Sequence, residues 1–523
     1  MNLSKPTTIH AVLAEHAAHR PGQDAVLCQD RRVSYAELHR RSDLMAGALV
    51  ADGARPGTRV VYLGQESEYF YLLLYACAKA GAVLVPVNWK LTAPEVEHVL
   101  RDSAVRFAFV EPDYLPVAER AAADLAPRPT LLTLIPDLPG GGPALAGWVD
   151  GASESVPVPP GDAEAPIVQM YTSGTTGLPK GVVLAHRSFF QVRDALADDG
   201  LTWIDFRDGD VSLIGVPGFH VGGLWWAIQG LNAGVANVSL RTFAAADAVA
   251  HIRRHRVTTV CVVPAMLRLM LAERSVVDAD FASLRKVVYG GSPIDETLLG
   301  ECLARVGCEF AQIYGLTESG NTAVCLPPSE HVVGGPRMKA AGRPYPGFAI
   351  EIRDEGAKPL PEREIGEVWI RTPARMVEYW RQPEETARTL VDGWLRTGDA
   401  GYVEDGYLFI RDRIKDTIIV AGENVYPAEV DNALAEHADV ADVAVVGIPD
   451  ERWGEAVHAF VVPVPGATVK PRELMLFLRG RLADFKVPTS YSIVDALPRN
   501  ASGKILRREL RDAFWQDRAR QVN

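Results

Sequence analysis

Four small hydroxyl residues, three glycines and one lysine fall within the run Tyr171-Thr-Ser-Gly-Thr-Thr-Gly-Leu-Pro-Lys180-Gly181-Val182. The chemistry such a run can do is anion binding. Glycines, here Gly174, Gly177 and Gly181, let a backbone turn sharply and bring its N–H groups against an anion. Thr172, Ser173, Thr175 and Thr176 add donors, and Lys180 adds a point charge suited to phosphate. The preceding Ile167-Val-Gln-Met170 reads as a buried strand, so the whole is a strand running into a phosphate-holding loop. A Walker A loop requires Gly-Lys-Ser/Thr, whereas here Pro179 precedes Lys180 and Gly181 follows it.

A second stretch, Tyr314-Gly-Leu-Thr317-Glu318-Ser, follows the predicted strand Glu309-Phe-Ala-Gln-Ile313, at the sheet edge where ligands of α/β folds bind. Tyr314 offers an aromatic face for adenine, Thr317 a hydroxyl for phosphate and Glu318 a carboxylate for Mg²⁺.

The first run is similar to the signature loop of the adenylate-forming enzymes: acyl-CoA synthetases, peptide-synthetase adenylation domains and beetle luciferases. The resemblance extends over nearly the whole chain, with the main motifs in the family's order. It implies an ATP site made of Thr172–Gly177, Lys180, Gly290, Gly291, Ser292, Tyr314, Gly315 and Thr317, with Asp399 and Arg413 on the ribose. Lys504, in Pro498-Arg-Asn-Ala-Ser-Gly-Lys-Ile505, matches the family lysine that bridges the carboxylate and the α-phosphate. Such a cation has a clear purpose, because a carboxylate must approach an anionic phosphorus and both charges need neutralising. Lys504, Glu318, Thr317 and His220 are therefore the expected catalytic residues, with Glu318 on the metal.

By the same resemblance, Pro217-Gly-Phe-His220 sits beside an acyl pocket of His220, Val221, Gly222, Val262, Gly291, Ile313, Gly315, Gly320 and Asn321. None of these is basic, and several glycines stand where bulk could. The expected acid is a medium- or long-chain fatty acid or a bulky apolar ring-containing acid. Trp225 and Trp226 either shorten the pocket or pack in the core. Lys415 falls at the family's hinge, and Gly422, Glu423 and Asn424 at its pantetheine tunnel. Trp453 and Phe485 either pack in the core or match positions that hold the CoA nucleotide in some members, although Val487 replaces the arginine those members carry.

The elements that must position these residues alternate between strand and helix. Strands are predicted at 59–63, 82–86, 106–110, 211–216, 236–240, 257–263 and 309–313, with helices between them, which implies parallel sheets covered by helices. Residues 136–165, rich in Pro, Gly and Ala, read as a loop. From about 347 short strands dominate, at 349–353, 366–371 and 401–410, giving a small barrel-like subdomain, and an α+β pattern follows the charge cluster Arg411–Asp416. The fold class is thus α/β, with an adenylation domain over 1–411 and a small mobile α+β lid domain over 412–523.

Composition narrows the partners. The formal charge of −12 is spread without a basic stretch, which argues against nucleic acid or an anionic membrane. Six cysteines without CxxC spacing, and no secretory signal, read as free thiols in a reducing cytoplasm. Tyr69 to Val87 is the most apolar stretch, but Lys79 and Gly81 interrupt it, so it reads as core and not as a membrane span. A homodimer stays open. The function expected is an AMP-forming acid–CoA ligase using ATP, Mg²⁺ and coenzyme A. The alternatives are an enzyme loading a carrier-protein phosphopantetheine and a non-catalytic nucleotide-binding protein of the same fold.

Overall fold

The computed structural model describes residues 6–153, 161–172, 179–292, 294–420, 423–450, 453–479, 481–499 and 505–515, apart from the side chains of Arg413 and Lys415. The chain divides into two compact units, Met1–Ala349 with Ile370–Leu395, and Ile350–Trp369 with Arg396–Asn523.

The first unit holds two large sheets. In the nine-stranded one, Val211–Ile214, Thr259–Val262, Lys286–Gly290 and Glu309–Tyr314 are successive parallel neighbours. Their Val- and Ile-rich sequences suit strands covered on both faces. The seven-stranded sheet centres on the parallel Arg59–Leu63, Val83–Val87 and Phe107–Val110. The helix Glu68–Ala80 is buried at every position and touches strands of both sheets. This is why the apolar stretch at 69–87 exists: it fills the space between two sheets. No helix among the described residues is long and apolar enough to cross a membrane.

The purely parallel expectation needs correction at the edges. Asp24–Cys28 with Arg31–Ser34, and Glu309–Tyr314 with Val324–Leu326, are antiparallel pairs. So are Pro166–Thr172 with Lys180–Ala185, and Lys180–Ala185 with Glu378–Tyr379. In the first three of these pairs the connection is short and holds no crossover helix to make the strands parallel. Two further differences are local. A helix, Pro143–Val149, forms inside the stretch read as loop. The strand read over 401–410 is a hairpin of Trp394–Glu404 and Tyr407–Arg413, turning at Asp405-Gly406, both with positive φ.

In the second unit, Ile418–Val420, Glu423–Val425, Val440–Asp450, Gly454–Pro463 and Ser490–Ile493 form one sheet. Its core includes Val443, Val445, Val457, Ala459, Val461 and Leu474. All six cysteines are free, and burial pushes Cys28, Cys261, Cys302, Cys308 and Cys325 up to about 12, so they are unreactive thiols.

Candidate active site

The predicted phosphate loop joins the two strands of a hairpin, with Tyr171 opposite Gly181 and Thr172 opposite Lys180. Ser173, Gly174, Thr175, Thr176 and Gly177 lie outside the described residues. A strand, Lys180–Ala185, and not a helix follows the loop. The base of the hairpin is held rigidly. A Cβ on Gly181 would sit 2.6 Å from Gln169 Nε2, and that amide donates to Tyr171 Oη at 2.9 Å. Tyr171 donates to Asp102 at 2.6 Å, and Arg59 donates to Gln169 at 3.0 Å while its guanidinium lies 3.4 Å over the Trp380 ring.

A short segment then ties the two ATP motifs together. Tyr379 pairs with Val182 beside the hairpin, and its hydroxyl donates to Glu318 Oε1 at 2.8 Å. The helix Pro383–Thr389 follows, and its Glu385 forms an ion pair with Lys180. Lys180 Nζ is also 5.1 Å from the Tyr379 ring centroid. Met376 N–H donates to the Glu318 carbonyl at 2.7 Å, completing the clasp. Burial and the neighbouring Glu318 push the Tyr379 phenol well above its ordinary range, so it remains a donor. Neither Tyr379 nor Glu385 stood out in the sequence. The only signal was a Pro-Glu-Glu-Thr helix start shortly after a two-residue strand.

The adenine and acyl sides follow from sheet topology. Ile214, Val262, Gly290 and Tyr314 end four neighbouring parallel strands, so the loops after them meet at one edge. These loops carry His220, Gly291, Ser292, Gly315, Thr317 and Glu318. Gly315 is obligatory, since a Cβ would meet the Asn321 carbonyl at 2.4 Å. Asn321 itself has φ +91, a conformation in which a side chain is strained.

His220 caps the N-terminus of the buried helix Val221–Ala233. Burial, helped by the charge of Lys90, lowers its imidazole to about 4, so it is neutral at physiological pH. Lys90 is thus a basic group near a pocket expected to have none. The open face of Gly222 looks toward Asn321, whose Oδ1 is 3.7 Å from the position a Cβ would take. Val262 and Ile313 are buried nearby in sequence register, on strands that both flank Lys286–Gly290. Trp225 and Trp226 are both buried, and Trp226 packs on Phe206 with ring centroids 4.9 Å apart.

In the second unit, Asp399 lies opposite Arg413 in the hairpin register, which fits two residues meant for one ribose. Asp399 is 5% exposed, and its N–H donates to Thr397 Oγ1 at 3.0 Å. Glu423 and Asn424 are exposed, and so are Trp453 (43%) and Phe485 (38%), which rules out a core role for either aromatic ring. Gly422 and Lys504 lie outside the described residues, as do the side chains of Arg413 and Lys415.

The chain resembles known proteins over nearly its whole length. The AMP-binding enzyme family matches residues 13–380, and the AMP-binding enzyme C-terminal domain matches 429–504. The chain is 59% identical over 510 residues to the fatty acid–[acyl-carrier-protein] ligase ScoC of Streptomyces coeruleorubidus, covering 97% of this chain and 96% of that one. It is 37% identical over 506 residues to feruloyl-CoA synthase from an Amycolatopsis species, covering 94% and 96%. Among solved structures, ATP-bound MatB from Rhodopseudomonas palustris superposes with a TM-score of 0.89 at 30% identity, over 98% of this chain and 99% of that one. Phosphate hairpin, clasped lysine and carboxylate, and two family matches in sequence order together mean that the chain belongs to the AMP-binding enzymes, as an adenylate-forming acyl ligase of the acyl-CoA synthetase branch.

Proposed function

We propose that this enzyme activates an apolar carboxylic acid, a medium- or long-chain fatty acid foremost, and delivers the acyl group to the phosphopantetheine thiol of a carrier protein. The observation that carries the activation step is the clasp at Tyr379–Glu385, which brings Lys180 and Glu318 from two distant motifs to one place. In that step a carboxylate oxygen bonds to the α-phosphorus of ATP as the bond to pyrophosphate breaks, leaving an acyl-adenylate. Lys180 and the hydroxyls of its loop hold the β/γ-phosphates, and Lys504 neutralises the converging charges. Glu318 fits Mg²⁺: Tyr379 occupies one carboxylate oxygen, leaving the other for a cation that otherwise takes phosphate and water ligands. Bound there, the ion would screen charge on the departing pyrophosphate. The thiol then attacks the acyl carbonyl, AMP leaves with the acyl–phosphate bonding electrons, and the thiol proton passes to solvent. For that step the 412–523 domain turns about Lys415, withdrawing Lys504 and presenting Gly422, Glu423 and Asn424 to the pantetheine arm.

Support for a carrier protein is the 59% identity to an acyl-carrier-protein ligase against 37% to a CoA synthase, together with Val487 where an arginine for the CoA nucleotide is expected. Free CoA is the second reading, favoured by the exposed rings of Trp453 and Phe485, which suit stacking on a nucleotide. Acid-dependent pyrophosphate exchange tests the activation step. Transfer of the labelled acyl group to a phosphopantetheinylated carrier, compared with free CoA, separates the acceptors; faster transfer to CoA reverses the order proposed.

A further inference from the structure

A carboxylate outside every motif lies directly under the His220 turn. His220 N–H donates to the Pro217 carbonyl at 3.0 Å, closing a tight turn with Gly218 and Phe219 at its centre. The Gly218 N–H points out of that turn and is taken at 2.9 Å by Glu66 Oε2, from the residue preceding the Ser67 N-cap of the inter-sheet helix. The other oxygen accepts the Tyr71 hydroxyl at 2.7 Å. Contact is close enough to demand glycine, because a Cβ at 218 would stand 2.8 Å from Glu66 Oε1 and 2.7 Å from the Phe70 ring. Glu66 is 6% exposed. Among the described residues it has no ion pair within 4.0 Å, because the nearby Arg241 is committed to Glu111 through two bonds of 2.8 and 2.7 Å.

A buried carboxylate without a cation is costly. Pure packing would be served by an apolar side chain. We infer that Glu66 is a positioning residue for the acyl half of the site: it pins the 217–220 turn through the Gly218 N–H and thereby sets where His220 meets the acid. The inference rests on the acyl-site reading above. The groups facing Glu66 are the Gly218 N–H, Tyr71, Arg241, Glu111 and the Cys28 thiol, whose Sγ donates to the Glu66 carbonyl at 3.8 Å. Burial raises Glu66 to about 7, opposed by the bonds from Gly218 and Tyr71 and by Arg241, and reinforced by Glu111. A carboxylate accepts from both donors, whereas its protonated form has one oxygen committed as a donor. Acid affinity therefore weakens as the pH falls through about 7.

Glu66→Gln and Tyr71→Phe, made in the full chain, test this with pyrophosphate exchange. Glu66→Gln is expected to raise KM for the acid about tenfold, to leave KM for ATP within about twofold, and to abolish the inflection of the acid kcat/KM near neutrality. Tyr71→Phe removes a bond to the charged form, so the inflection moves to higher pH while acid KM well above it stays as in the parent. If Glu66→Gln changes both KM values alike, or lowers only the melting temperature, or leaves the inflection in place, Glu66 is structural and the inference falls. Should the parent show no exchange with any acid, the acyl-site reading fails, a result distinct from any of these.

Discussion

The end of the site proposed for phosphate and the end proposed for the acyl group are built on opposite plans. At the phosphate end the charged groups already have partners: Lys180 is paired with Glu385, and Glu318 accepts from Tyr379. At the acyl end polar atoms are buried without partners. His220 Nε2, Asn321 Nδ2 and Trp225 Nε1 are all shielded from water and make no hydrogen bond among the described residues. The difference follows from cost. An unpaired buried charge is worth several kcal/mol against folding, and at this end the protein supplies partners of its own. A neutral donor left unmet costs only about 1–3 kcal/mol, which the fold tolerates. We therefore expect the triphosphate to enter by exchanging partners and the acid by filling a prepared gap.

Four experiments bear on that contrast, beginning with the largest effect. Lys504→Ala removes the one cation that the charged end is proposed to borrow from elsewhere in the chain. Acid-dependent pyrophosphate exchange should fall by about 10²-fold or more, while transfer from a supplied acyl-adenylate to the thiol continues. Equal loss of both half-reactions would show that the cation is not specific to the phosphate end. Tyr379→Phe frees Glu318 from its clasp, and kcat of adenylation should fall about tenfold with a raised Mg²⁺ requirement and an unmoved acid KM. Glu385→Gln removes the counter-ion that ATP is expected to displace. KM for ATP should drop about threefold, and a rise would mean that Glu385 orients Lys180 instead of competing for it.

The smallest effect concerns stability against pH. Burial lowers His10, His220 and His331 to about 4 and His186 to about 3, so the folded chain keeps all four neutral. Unfolded, these imidazoles take up protons below about 6.5. Stability is therefore present above that value and is lost as the pH falls toward 4. Glu66 and Asp431, raised to about 7 and 6, act in the opposite sense over nearly the same window. Melting temperatures at pH 7.5 and 5.0 should show a decline of a few degrees, deepened in Glu66→Gln, which lacks one of the compensating carboxyls.

Motif residues were legible because their chemistry is local. A hydroxyl–glycine run ending in lysine carries its anion-binding groups within a few positions, and Tyr314 to Glu318 could be placed by the strand before them. Strand positions at 59–63 and 349–353 agree to the residue, since short apolar runs between turn residues leave little freedom. Less visible were elements whose stability comes from distant neighbours. The helix Pro143–Val149 lies in a sequence with no periodicity, and the two-residue strand Glu378–Tyr379 is defined only by the hairpin it pairs with.

What the amino-acid order determined alone was the alternation that makes an α/β fold, together with the residue types from which an anion-binding loop, a metal carboxylate and a terminal catalytic lysine are proposed. Those properties reside in residue types and short spacings. Tertiary structure decided which groups stand together without being near in sequence. It placed Tyr379 on Glu318, Glu385 on Lys180 and Glu66 beneath Gly218, across separations of 61, 205 and 152 positions. The reason is physical. A hydrogen bond depends on ångström-scale placement, which is fixed by the packing of sheets and helices and leaves no periodic trace in the chain.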